Sequence, residues 1–300
     1  MACRCSRAGV IWPTVGDVMT MRASIAGVIW TGCLAALAGS QTPDVVSIYV
    51  DDPSFSSGAR SDAYQLAVDG VSVPIARVVA GPHPVSAVVL LDASSSAAIV
   101  SASDAARRLA GAARDGDAIR IGTFAKKILL SRPFGHSEAS AAAAAREVNQ
   151  RDGPSPLWDA IYTSVNAVAG FTGVRAVLVF TDAMSTGNDH AFSDVEGLVA
   201  TSGVIVSAVG VGDDALRFGS TMRAVGRNGA LRRLADGSGG LYYELQKRSE
   251  SPIYRLAGML DQMRKQYRID FVPPVRDGAV HRVSVTRAGR PVRAATHIRY

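Results

Sequence analysis

The strongest constraint on this chain is a short apolar run that ends in a carboxylate followed by two spaced hydroxyls. Residues 87–91 read Ala-Val-Val-Leu-Leu, a length typical of a strand that is buried on both faces of a sheet. Asp92, Ser94 and Ser96 follow, and Ala-rich, helix-forming sequence comes next. Because open α/β sheets bind their ligands beyond the carboxyl ends of the strands, these three side chains are candidate ligand-binding groups.

The apolar runs alternate with helix-forming stretches. Runs at 176–180 and 204–209 are also short and apolar, and helical sequence at 138–148 and 157–168 separates the first run from the second. Strands that alternate with helices pair in parallel through right-handed crossovers. The sequence therefore predicts an α/β fold with a doubly wound, mostly parallel, Rossmann-like sheet.

Both flanks of this region have strand-like patterns of another kind. Residues 45–50 and 64–68 alternate in polarity, and Asp69-Gly70 is a strong hairpin signal. Extended pieces at 267–272, 280–286 and 292–299 close the chain. We therefore expect a small accessory β unit built from both flanks. The predicted domains are a leader (1–40), an N-terminal β-hairpin unit (41–84), the α/β domain (85–250), and a C-terminal helix and β unit that packs with the hairpin (251–300).

The first forty residues predict export. An apolar stretch, 23–38, follows Met21-Arg22 and ends in Ala-Leu-Ala, which fits a signal-peptidase site. Met19 or Met21 is the expected start, and the alternatives to a cleaved signal peptide are a lipid anchor at Cys33 or an uncleaved anchor. No membrane span is predicted beyond this leader. The expected location is the periplasm, the cell envelope or the extracellular space.

Cysteine and charge exclude two classes of site in the body of the chain. The three cysteines all lie in the first 33 residues, so neither a disulfide framework nor a Cys-based zinc site is expected after them. Residues 217–300 contain 17 Lys and Arg against 6 Asp and Glu. This segment has few aromatic residues and no nucleic-acid motif, so we expect no nucleic-acid partner.

Two more loops contribute oxygen ligands at the predicted carboxyl edge of the sheet. Asp182 follows the second apolar run, and Ser155 lies in a Pro- and Gly-rich loop before a helix. We expect these loops to converge with the first one. Carboxylate and hydroxyl oxygens suit Mg²⁺ best here, with Mn²⁺ or Ca²⁺ as alternatives, rather than zinc. The predicted metal ligands are Asp92, Ser94, Ser96, Ser155 and Asp182.

These motifs resemble the metal-ion-dependent adhesion site of von Willebrand factor A domains. The D-x-S-x-S pattern and Asp182 match the family in order and context, and Ser155 occupies the slot of a Thr. The flanking hairpin and the segment 267–273 resemble a bacterial subgroup of related proteins. The resemblance implies a binding module whose cation accepts a carboxylate from a protein or peptide ligand. Ser95 and Ala183 depart from it, since both stand where Gly is usual.

Other interpretations of the same residues remain open. The three serines could be helix N-caps and the two aspartates turn residues, which would make the protein a structural or assembly module with a degenerate, metal-free site. No base–nucleophile pair is recognisable, so we do not expect an enzyme. Three residues are weaker candidates for contacts at the ligand-binding rim: Asp159, Asp189 and His190.

Overall fold

The computed structural model describes residues 45–53, 61–94, 100–211, 228–245 and 250–300. The predicted leader, with Met19, Met21 and Cys33, lies outside these residues, as do Ser95 and Ser96. Within the described ranges the strands are β1 (Val46–Asp51), β2 (Tyr64–Val68), β3 (Val71–Val73), β4 (Ile75–Ala80), β5 (Val85–Asp92), β6 (Ala118–Phe124), β7 (Ile128–Leu130), β8 (Val174–Thr181), β9 (Ile205–Val211), β10 (Tyr242–Leu245), β11 (Tyr267–Phe271), β12 (Val280–Arg287), β13 (Arg290–Pro291), β14 (Arg293–Ala294) and β15 (His297–Arg299). The helices are α1 (Ala102–Ala112), α2 (Glu138–Glu147), α3 (Leu157–Ala169), α4 (Phe192–Ser202), α5 (Asn228–Ser238) and α6 (Pro252–Arg264).

A six-stranded sheet forms the centre of the α/β part, in the order β10-β9-β8-β5-β6-β7. Only the edge strand β7 runs antiparallel to its neighbour within this sheet. Numbered along the chain, the order is 3-2-1-4-5-6, which is that of a doubly wound fold. The predicted fold class is therefore confirmed. The order reverses between β5 and β8, so the ligand-binding crevice of such a sheet is expected at the ends of these two strands.

Helices cover both faces of this sheet, and their packing explains why its strands are apolar throughout. Every residue of β5 is buried. One face packs against α1, α2 and α6, and the other against α3, α4 and α5. Among the described residues, no helix is long and apolar enough to cross a membrane.

Strands from the two flanks interleave in two antiparallel sheets. One has the order β14-β1-β11-β4; the other contains β13-β12-β2-β3, with β15 also paired to β12. Pro74 divides the segment that follows the Asp69-Gly70 turn, so that β3 and β4 lie in different sheets. The two sheets share one apolar core that includes Leu66, Ile269 and Phe271. The accessory β unit of the predicted fold class is thus present.

Helix α6 packs differently from the sequence-based expectation. Its buried side chains Leu256, Leu260 and Met263 belong to the core beneath the parallel sheet, and the accessory β core is a separate cluster. The sequence predicts that this helix belongs to the C-terminal β unit, because the two are adjacent in the chain. In the structure, the segment 251–300 contributes its helix to the α/β layers and its strands to the β layers.

A buried ion pair attaches the end of α6 to the start of β6. The Arg264 guanidinium donates to Asp117 Oδ2 at 2.6 Å and to the Ala112 carbonyl at 3.0 Å. Both charged side chains are at most 3% exposed. Asp117 also accepts from the backbone amide of Val85, the first residue of β5, at 2.9 Å. The pair therefore links α6 to the amino edge of the parallel sheet.

We expect Arg264→Met to lower the free energy of unfolding by about 3 kcal/mol, because it leaves the Asp117 carboxylate buried without its cation. Urea denaturation measures this change. Arg107→Met is the matched control, since it breaks an exposed pair with Asp104 and should cost less than about 1 kcal/mol. Equal losses in the two variants would contradict the role given to the buried pair.

His281 joins two turns at one end of the accessory β unit. Its Nδ1 lies 2.7 Å from Asp69 Oδ2, its Nε2 lies 2.9 Å from Asp277 Oδ1, and its ring stacks on Tyr300. Hydrogen bonds to Asp69 and Asp277 raise the pKa of His281. The pKa of Asp69 is lowered, mainly by its hydrogen bond with His281. The pKa of Asp277 is also lowered, mainly by the hydrogen bond from the Ala279 amide.

We expect the Tm of the protein to fall as the pH rises above about 6.5, the ordinary pKa of histidine. The stabilisation by protonated His281 is complete below that value and is lost as the pH passes through the raised folded-state pKa. Calorimetric scans from pH 5 to pH 9 test this. His281→Asn should flatten that part of the profile, and an unchanged slope in the variant would show that another group is responsible.

Candidate metal site

Asp92 lies at the carboxyl end of β5, in the crevice where the strand order reverses. Its Oδ2 accepts hydrogen bonds from the Ser155 hydroxyl at 3.0 Å and the Thr181 hydroxyl at 2.6 Å. Its Oδ1 accepts from the backbone amide of Ser94 at 3.0 Å. The loop before α3 and the last residue of β8 therefore both contact the carboxylate of Asp92.

The serines at this site do not cap the nearest helices. Helix α1 begins at Ala102 with Ser101 as its N-cap, seven residues beyond Ser94. Helix α3 has Pro156 at its N-cap position and no side-chain cap. Ser155 precedes that cap, and its hydroxyl donates to Asp92 instead. The N-cap interpretation is thus wrong for Ser94 and Ser155, whereas Ser96 lies outside the described residues.

Asp182 follows β8 in a short turn that its own side chain stabilises. Its Oδ1 accepts from the backbone amide of Met184 at 2.9 Å. Ala183, between them, has a φ of +58°, in the left-handed region that favours glycine. This is the position where the sequence analysis notes an Ala in place of Gly. The turn is therefore adopted despite the unfavourable residue.

Two buried carboxylates face this crevice without a compensating cation. Asp92 and Asp182 are 2% and 3% exposed. Burial raises the pKa of Asp92, and the negative charge of Asp182 raises it further, against the opposing effect of hydrogen bonds from Ser94 and Thr181. Within the described ranges, no Lys, Arg or His forms an ion pair with either carboxylate. Buried like charges of this kind are costly unless a cation is shared between them.

Two oxygens at the site have no hydrogen-bond partner. They are Ser94 Oγ and Asp182 Oδ2, both buried. The Ser94 hydroxyl is close enough to Asp92 to lower its pKa, yet it makes no hydrogen bond of acceptable geometry. A buried polar atom left unpaired costs about 1–3 kcal/mol. One unpaired hydroxyl oxygen and one unpaired carboxylate oxygen at this site fit a hard divalent cation, which takes oxygen ligands.

The loop after β8 is attached to the loop before α3 along its length. The Ser155 amide donates to Thr186 Oγ1 at 2.9 Å, and the Thr186 amide donates back to the Ser155 carbonyl at 2.8 Å. Asn188 Oδ1 accepts from the Trp158 amide at 2.8 Å, which caps α3 in place of Pro156. Two of the three loops of the site therefore form one connected unit.

Asp159 completes this attachment. Its carboxylate accepts from the backbone amides of Asp189 and His190, each at 2.8 Å, and lies 2.8 Å from His190 Nδ1. The pKa of Asp159 is lowered: burial opposes the shift, and the hydrogen bonds from the loop outweigh it. The His190 ring in turn stacks on Tyr162 with ring centroids 3.9 Å apart. The three candidate rim residues therefore form the contact between α3 and the loop.

The sequence analysis does not predict every residue that builds the site. Thr181, fully buried beside Asp92, is not among the predicted ligands. Its position directly before Asp182 was the available signal. Gly153 has a φ of +130°, and a Cβ there would lie 2.7 Å from the Lys126 nitrogen, so this loop lies against the turn after β6. That contact involves distant residues and has no local sequence signal.

Comparisons with known proteins find similar solved structures at low sequence identity. The solved structures similar to this chain include a conserved hypothetical protein, BatB, from Bacteroides thetaiotaomicron (19% identity, 60% of this chain, 98% of that chain, TM-score 0.45). A von Willebrand factor type A protein from Catenulispora acidiphila is 13% identical over 87% of this chain and 73% of that chain, with a TM-score of 0.41. The vWF domain of a type V pili tip protein from Porphyromonas gingivalis is 13% identical over 62% of this chain and 95% of that chain, with a TM-score of 0.42. No family model and no curated protein matches the chain. The strand order of the sheet itself establishes the doubly wound fold.

We expect Asp159→Asn to loosen the loop after β8, because an amide cannot accept from both backbone N–H groups and the His190 ring. The loss of hydrogen bonds to a charged acceptor should cost about 1–3 kcal/mol. Hydrogen exchange followed by mass spectrometry should show faster exchange in the peptides that contain Asp189 and His190. Asp189→Asn makes the same charge change in the loop and should leave that exchange slow; slow exchange in Asp159→Asn as well would contradict the attachment.

Proposed function

We propose that this chain is an exported binding module that uses a divalent cation, most readily Mg²⁺, to recognise a protein or peptide ligand. The described ligands would be Ser94, Ser155, Asp92 and Asp182, with Ser96 as the fifth residue of the motif. The cation would supply a positively charged coordination position for a carboxylate of the partner. No catalytic role is proposed.

The observation that carries this proposal is the pair of buried carboxylates, Asp92 and Asp182, of which Asp182 has an unpaired oxygen, together with the unpaired hydroxyl of Ser94. A +2 ion shared by Asp92 and Asp182 leaves little net protein charge in the crevice, because the remaining ligands are neutral hydroxyls. An incoming carboxylate would then be attracted rather than repelled. Thr181 acts through Asp92: its hydroxyl occupies one side of Oδ2 and orients the carboxylate.

The second interpretation is a structural or assembly module without metal. In that case the hydrogen bonds at the Asp92 carboxyl group stabilise the crevice alone. The observation in favour of this alternative is that both oxygens of Asp92 already accept hydrogen bonds, from the Ser94 amide and from the hydroxyls of Ser155 and Thr181. The two interpretations can be distinguished by removing one of the two negative charges and measuring the affinity of the protein for a divalent cation.

We expect the protein to bind one Mg²⁺ or Mn²⁺ per chain in calorimetric titration, with affinity reduced at least about tenfold in Asp182→Asn. Saturation at 100 times Kd should stabilise the wild type by about 2.7 kcal/mol. In chelator, Asp182→Asn should be at least as stable as the wild type, because it removes repulsion between two buried carboxylates.

Asp104→Asn is the control for the loss of one carboxylate, since Asp104 is exposed on α1. It should bind the cation as the wild type does. The cation proposal is overturned if the wild type binds no metal, or if Asp182→Asn binds it with unchanged affinity; either result would favour the metal-free alternative.

A further inference from the structure

A group of basic side chains lies on one side of the crevice. Lys126 and Lys127 are exposed in the turn between β6 and β7, and Arg151 is exposed in the loop before α3. We call these three residues the basic rim. They are distant in sequence from the basic C-terminal third, and the proposed cation site does not use them.

The two segments of the basic rim are in direct contact. The Lys127 amide donates to Gln150 Oε1 at 3.3 Å, and Gln150 Nε2 donates to the Lys127 carbonyl at 2.7 Å. The Gly153 position also lies against the Lys126 backbone. The turn and the loop therefore hold their cationic residues near one another rather than on separate surfaces.

The basic rim is adjacent to Asp92 across one strand. Phe124 at the end of β6 pairs with Asp92, and neighbouring strands are about 4.8 Å apart. The Ala93 amide donates to the Phe124 carbonyl at 3.0 Å, and the Asp152 amide donates to the Ala93 carbonyl at 3.0 Å. Lys126 is thus two residues from Phe124, and Arg151 is next to Asp152. Both Phe124 and Asp152 form backbone hydrogen bonds with the Asp92 turn. Two residues of extended chain span at most about 7 Å, which is less than the Debye length of about 10 Å at 0.1 M salt.

The charges of the basic rim are not neutralised within the described part of the chain. None of its three side chains forms an ion pair there, whereas exposed arginines elsewhere, such as Arg107 and Arg132, do. Asp152 is the one acidic residue within the contacting segments, so the rim retains a net positive charge. Across the crevice, the loop after β8 presents Met184 and Asp189 as exposed residues and no Lys or Arg.

We propose that the basic rim selects an acidic polypeptide segment: the partner offers one carboxylate to the cation and further carboxylates to Lys126, Lys127 and Arg151. This inference rests on the proposed cation-binding function and names the chemistry of its partner. A single exposed ion pair contributes little, but several that act on one segment increase affinity and association rate together.

Two labelled peptides test the proposal by fluorescence anisotropy in saturating Mg²⁺. They are acetyl-Glu-Glu-Asp-Glu-Glu-amide and acetyl-Gly-Gly-Asp-Gly-Gly-amide. The wild type should bind the acidic peptide about fivefold or more tightly than the glycine peptide, as expected for several exposed pairs. The doubly substituted Lys126→Glu, Arg151→Glu variant should lose this preference while it binds Mg²⁺ at least as tightly as the wild type, because the substitutions remove positive charge near the cation site.

The matched control is Arg290→Glu with Arg299→Glu, which makes the same change of net charge at two exposed arginines of the accessory β unit. It should retain the preference. The proposal for the basic rim is overturned if this control loses the preference for the acidic peptide equally, or if a wild type that binds Mg²⁺ shows no such preference. If the wild type binds no Mg²⁺, the cation proposal fails; a rim-dependent preference for the acidic peptide in chelator would then still support the rim.

Discussion

The repulsion between Asp92 and Asp182 is the constraint on which the rest of the site depends. Both carboxylates are buried at the ends of adjacent parallel strands, where the strand order reverses. The fold brings them together because the carboxyl ends of β5 and β8 lie at the same edge. Their immediate surroundings are hydroxyls and backbone amides, which stabilise a carboxylate but do not neutralise it. An ion that binds both would complete the arrangement.

The surrounding structure fixes the positions of these groups. Thr186, Asn188 and Asp159 attach the loop after β8 to the start of α3, so Ser155 and Asp182 are held relative to one another. The Asp92 turn is attached to the end of β6 and to the loop before α3 through backbone hydrogen bonds. Such preorganisation reduces the entropic cost of binding an ion or a ligand. It also places the basic rim beside the crevice.

The sequence predicts the parallel sheet well because its signals are local. Apolar runs of strand length, ended by Asp92 and Asp182, specify both the strands and the edge at which they end. The convergence of three loops is likewise predictable from strand direction. The packing of α6 is not, since its apolar face would suit either the sheet or the accessory strands. The contacts of Thr181 and Asp159 with distant loops, and the division of residues 71–79 between two sheets, arise from tertiary pairing that a single sequence does not reveal.

The most direct test is the anomalous diffraction of crystals grown with Mn²⁺. The account predicts one strong anomalous peak in the crevice between β5 and β8, within coordination distance of Ser94 Oγ and of an Asp182 carboxylate oxygen. It also predicts that this peak disappears in Asp182→Asn crystals prepared in the same way. The account would be contradicted by a crevice without a peak at saturating Mn²⁺, with Asp92 and Asp182 joined by a direct hydrogen bond.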